Sequence, residues 1–117
     1  MDDKARRKEL RTRYKQAHTE AGVYCIVNTR VYKALLGSTP NLASIHNRLA
    51  FAKSIKSQVG LDYRLRADVA QFGIDAFAVE VLDVLPTKPE MTAAQIRAEL
   101  ATLEALWRES LDAALLY

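Results

Sequence analysis

Gly22-Val23-Tyr24-Cys25-Ile26-Val27, ended by Asn28-Thr29, is a short run of apolar, β-branched and aromatic residues, and such a run predicts a buried strand. A second run, about 32–36, follows after a connection at 28–31 that is too brief for a parallel crossover. The two are therefore expected to form an antiparallel hairpin, with Gly37 and Ser38 ending the second strand. A third run, 76–82, alternates Phe77, Val79 and Val81 against Ala78, Glu80 and Leu82, the period of a strand. Three β-rich runs among helical patterns predict an α/β chain of the α+β kind, a small three-stranded antiparallel sheet flanked by helices.

Between the second and third strands, Thr39-Pro40 reads as an N-cap and first helical position. The helix they open is expected to run to about Ser57, with Leu42, Ile45, Leu49 and Ala52 as its apolar stripe. Lys53 and Lys56 stand near its C-terminal end, where the helix dipole favours cations. A shorter helix at 62–72 presents Leu65, Val69 and Phe72 and is closed by Gly73, where a left-handed residue is wanted. Thr92-Ala93-Ala94-Gln95 fits a capping box. It opens a long last helix whose stripe Ile96, Leu100, Leu103, Trp107, Leu111 and Ala114 is expected to lie across the sheet.

The chain has 117 residues, 50% hydrophobic and 26% charged, which suits one globular domain over 1–117 and excludes a disordered polymer. No apolar run is long enough to cross a bilayer, and Asp2, Asp3 and a basic stretch stand where a secretory signal would need apolar residues, so the expected location is the cytoplasm. The one cysteine, Cys25, lies among Val23, Ile26 and Val27 and reads as a reduced, buried thiol. A net charge of +3 decides nothing by itself, but its placement is informative. Residues 1–18 are expected to form a basic, helical N-terminal arm on which Lys4, Lys8, Arg11 and Lys15 recur on one face. That stripe is either a phosphate-contacting surface or a solvated helix face.

Gly22-Val23-Tyr24 on one strand and Leu35-Leu36-Gly37 on the next resemble the paired signature of the GIY-YIG nucleases. Ser38-Thr39-Pro40-Asn41-Leu42 is similar to the opening of that family's first core helix, Phe72-Gly73-Ile74-Asp75-Ala76-Phe77 to the segment leading into its third strand, and Leu103-Glu104-Ala105-Leu106-Trp107 to the helix with its metal-binding glutamate. The pair Asn47-Arg48 brings the chain nearest to the small stand-alone bacterial proteins of that family.

The resemblance implies a metal-dependent endonuclease acting on phosphodiester bonds of nucleic acid, DNA first, with magnesium or manganese as cofactor. Carried over residue by residue, it makes Glu104 the metal ligand and Tyr24 the tyrosine that helps activate water; Arg48, one turn after the usual arginine position, could reach the same space and steady the phosphate. His46, beside Asn47, could also face the site and contact nucleic acid. Two positions depart from the pattern. The second tyrosine is Leu35, which can neither accept a proton nor orient water, and the usual arginine position falls on Ile45, one turn before Arg48. Each candidate also has a plain reading: Tyr24 as a half-buried strand aromatic, Glu104 as the i,i+4 partner of Arg108, His46 as a solvated side chain. Weak nuclease, non-catalytic nucleic-acid-binding module and protein-interaction domain all stay open.

Overall fold

The computed structural model describes residues 20–58 and 60–117, so the expected helix at 3–18, with Lys4, Lys8, Arg11 and Lys15, lies outside the described residues. Within them a three-stranded antiparallel sheet has the order β2-β1-β3, built from β1 (Ala21–Asn28), β2 (Lys33–Thr39) and β3 (Phe77–Leu85). Three helices join it: α1 (Leu42–Ser54), α2 (Arg66–Phe72) and α3 (Ala93–Ser110). The expected α+β arrangement is the observed one.

Alternation along β1 sorts the core into two faces. Ile26 and Leu35 pack with Ile45, Leu49 and Ala52 of α1 and with Leu65, Ile74 and Phe77. Val23, Cys25 and Leu36 pack on the other face, against Leu103 and Trp107 of α3 and against Leu111 beyond it. Cys25 is buried and free, and burial pushes its thiol pKa up, with Glu80 adding to the effect. The sheet is thus covered on both sides, and the strand carrying Gly22-Val23-Tyr24 is its middle.

Several expected boundaries move. β2 does not end at Gly37: it runs to Thr39, because Gly37, Ser38 and Thr39 pair with Tyr24, Val23 and Gly22. The turn before it occupies 29–32, with Tyr32 at φ 57°. Thr39 is consequently the last strand residue and not the N-cap; Asn41 takes that place, donating its backbone N–H to the Thr39 hydroxyl at 3.1 Å, and Pro40 lies before the helix. α1 stops at Ser54, short of Ser57, and Lys56 turns away at φ 53°. The expected helix at 62–72 is divided into a 3-10 turn, Tyr63–Leu65, and α2. Gly73 then closes α2 at φ 84° and ψ 152°, open to glycine but extended in ψ where a left-handed cap was expected.

β3 begins at Phe77 and continues to Leu85, beyond the expected Leu82. Its pairing with β1 slips between Val23 and Tyr24, which face Asp83 and Val81. This bulge leaves Leu82 and Asp83 both towards α3, where Asp83 accepts from Trp107 Nε1 at 3.1 Å. The capping box at Thr92 and Gln95 is present, with bonds of 3.1 Å and 2.8 Å. α3 ends at Ser110, so Leu111 packs from just past the helix and Ala114 is exposed, not part of a helical stripe.

Candidate active site

Tyr24 comes from the middle strand, Arg48 from α1 and Glu104 from α3, and all three line one cleft of about 420 Å³. Elements far apart in the chain meet there because α1 covers one face of the sheet while α3 crosses the other, with Glu104 and Arg108 on its cleft-facing flank. The apolar wall is Ile26, Leu35, Leu36 and Ile45, and Gly37, Ser38, Gly60, Leu61, Asp62 and Arg64 complete the lining.

The half-buried Tyr24 holds its phenol pKa above the ordinary value, chiefly through burial. Arg48 opposes that shift, and Glu104 and Asp62 add to it. At neutral pH the hydroxyl is therefore a neutral group that can both donate and accept a hydrogen bond, and no phenolate is present. Arg48 is exposed and, among the described residues, makes no ion pair, so its fork is free to meet an oxyanion. Glu104 stands 3.6 Å from Arg108 one turn along α3, which realises the i,i+4 pair without removing the carboxylate from the cleft.

Leu35 and Ile45, only 4% and 6% exposed, belong to the same packed cluster. The two positions where the resemblance leads one to expect polar groups are thus part of a hydrophobic wall. His46 does not line the cleft. Two residues before Arg48 on α1, it projects roughly 200° away around the helix, so the two do not share a face.

Sequence reading missed Asp62 and Arg64. They fall at the start of the expected helix at 62–72, off its Leu65, Val69 and Phe72 stripe, where they read as a solvated helix end. Asp62 accepts from Arg64 Nε at 3.0 Å, Nη2 at 2.9 Å and the backbone N at 2.9 Å. These bonds hold its carboxyl down to about 2. Arg108 was visible only as the partner of Glu104, although it too lines the cleft. The wall therefore carries three arginines against two carboxylates, Asp62 and Glu104.

Among the described residues no three of His, Cys, Asp and Glu cluster closely enough to form a ready-made metal cage. With Asp62 held by Arg64, the Glu104 carboxylate in the cleft lining fits magnesium, which keeps several waters and takes one or two protein carboxylates together with substrate phosphate oxygens.

No protein-family model matches the sequence, and no curated protein matches it. A solved structure does: the catalytic domain of intron endonuclease I-TevI, in a glutamate-to-alanine mutant form, at a TM-score of 0.56 and 16% identity, covering 80% of this chain and 84% of that one. The chain has a GIY-YIG-like fold. At that identity the likeness is one of fold. The GIY-YIG-like framework explains why the motif residues meet: its hairpin brings Tyr24 opposite Gly37. Among the described residues no helix is long and apolar enough to cross a membrane.

Proposed function

We propose that the chain is a divergent, metal-dependent endonuclease acting on phosphodiester bonds of nucleic acid, DNA first. The observation that carries this reading is that Tyr24, Arg48 and Glu104 line one cleft although they come from three separate elements. Fold likeness to an endonuclease catalytic domain supports the same class.

In this reading Arg48 binds the scissile phosphate, its planar guanidinium matching two phosphate oxygens. Tyr24, kept neutral by burial, orients the attacking water through its hydroxyl. Glu104 would hold a magnesium or manganese ion, which when bound neutralises charge on the phosphate and lowers the pKa of bound water. Arg108 keeps the Glu104 side chain in place, and the wall formed by Leu35 and Ile45 limits water on the far side. With Leu35 in place of a hydroxyl, one acid–base contribution is missing, typically worth about 10²–10⁴-fold, so cleavage is slow. Lys4, Lys8, Arg11 and Lys15 add sequence-independent affinity for phosphates.

The same apolar wall favours a second reading, in which the fold binds nucleic acid without cutting it. A nicking assay on supercoiled plasmid, with and without magnesium or manganese, tests the first against the second. Slow, metal-dependent nicking lost in Glu104→Ala and Arg48→Ala supports the nuclease. Binding without nicking in any divalent metal replaces it with the binding module, and a rate unchanged in both variants assigns the activity to other residues or to a contaminant.

A further inference from the structure

Tyr63 is 80% exposed although its chain neighbours, Asp62 and Arg64, both line the cleft. Its backbone is fixed. Asp62 caps the 3-10 turn by accepting from Arg64 N, the Arg64 guanidinium closes on the same carboxylate, and Leu65, two residues on, is fully buried. The turn therefore presents an aromatic ring to water from a pinned position, with no protein group stacked on it among the described residues.

Single exposed aromatics are common and need no explanation by themselves. What gives this ring a direction is the charge beside it. Arg64 is paired with Asp62 and Arg108 with Glu104, which leaves Arg48 as the uncompensated cation of the cleft lining, so the cleft carries a net positive charge that favours a polyanion. Cations that track a phosphate backbone next to an aromatic face form the arrangement that holds unpaired nucleotides: the arginines take the phosphates and the ring takes a base. A regular duplex offers no such base, because each is already stacked between its neighbours. Phe51, 58% exposed and three residues after Arg48 on α1, lies on the same flank and could take an adjacent base.

We propose that Tyr63, next in the chain to two residues of the cleft lining, is a base-stacking platform beside the cleft, and that it makes the site select unpaired nucleic acid over regular duplex. This rests on the reading of the cleft as a phosphate-binding site. Once a base stacks on Tyr63, the strand is held with its phosphates towards Arg48.

The test is fluorescence anisotropy of the full chain, with EDTA to prevent cleavage, against a labelled strand of about 20 nucleotides, free and annealed to its complement. The wild type is expected to bind the free strand more tightly. Tyr63→Ala should weaken that binding by about 5- to 100-fold and leave duplex binding and the salt slope unchanged, since no charge is lost. Tyr63→Phe should retain the preference. Arg48→Ala should flatten the slope by about one log–log unit on both forms. An unchanged thermal midpoint establishes that Tyr63→Ala is folded. Tyr63→Ala weakening both forms equally, or neither, overturns the platform and leaves the phosphate site standing. Failure of the wild type to bind either form overturns the phosphate site and the platform with it.

Discussion

The ring of Tyr24 lies over Gly37, its partner across the β1–β2 ladder, so closely that a Cβ at position 37 would sit 2.7 Å from the hydroxyl oxygen and 2.8 Å from Cζ. The glycine of the second motif is thus the seat of the tyrosine of the first. Gly22 is crowded differently. A Cβ there would meet the backbone oxygen of Asp83 at 2.2 Å, and backbone cannot swing aside.

The two glycines should therefore respond oppositely to alanine. Gly37→Ala lets the far end of the Tyr24 side chain move and should change stability by no more than about 1 kcal/mol, while displacing the hydroxyl and lowering any nicking rate. Gly22→Ala has to push β3 away and should cost about 3 kcal/mol. Urea denaturation of both variants checks the contrast; equal losses would contradict it.

Tyr117 contributes to the alkaline decline of stability. Its hydroxyl donates to Asp68 and accepts from Asn28 Nδ2 at 3.2 Å, and its backbone N–H bonds Ala34 at 2.9 Å. Burial first, then the bond to Asp68, push its pKa up to about 12 from 10.0. Because the folded state holds the proton more tightly than the unfolded one, this contribution is complete below about pH 10 and is lost as the pH rises towards 12. Tyr117→Phe should cost about 1–2 kcal/mol at neutral pH, since Asn28 is fully buried and loses a partner, and should flatten that alkaline decline. Thermal melts at pH 8 to 12 would show it.

Period and composition made β1, β3, α1 and α3 legible, because their apolar residues repeat at strand or helix spacing. The end of β2 was not legible: Gly37 and Ser38 look like strand breakers until Tyr24 is known to need the space above Gly37. Thr39-Pro40 likewise mimics a helix start, although Thr39 is paired with Gly22. In the cleft, Tyr24 and Glu104 could be nominated from motif position and Arg48 from its place one turn after the usual arginine position, whereas Asp62, Tyr63 and Arg64 were read as one end of a helix and form a capped 3-10 turn instead. His46 could have been set aside beforehand, since residues two apart on a helix point in nearly opposite directions.

Leu35→Tyr should put a second hydroxyl at the cleft wall. Leu35 both lines the cleft and packs in the core, so the larger ring has one open direction. The expected outcome is nicking faster by about 10²-fold or more, together with about 1–3 kcal/mol of lost stability from overpacking. Stability lost with no gain in rate would show that the missing tyrosine is not what limits the chemistry.

Trp107 ties α3 to the bulge of β3. Trp107→Phe keeps the ring packing and removes the bond to Asp83, for an expected loss of about 1 kcal/mol in chemical denaturation. Asp83→Asn keeps an acceptor and should be milder. The chain has one tryptophan, so the fluorescence of Trp107 reports directly on whether α3 is docked.

The middle position of β1 has a kinetic consequence. Paired on both sides from Gly22 to Asn28, with successive amides donating alternately to β2 and β3, the strand frees an amide only when a whole neighbouring strand leaves the sheet, so its amides should be among the slowest in hydrogen–deuterium exchange. The 3-10 turn bearing Tyr63 and Arg64 has no strand beside it and is held by local bonds alone, so its amides should exchange faster than those of β1. Exchange rates would thus set the strand that carries Tyr24 apart from the turn that carries Tyr63.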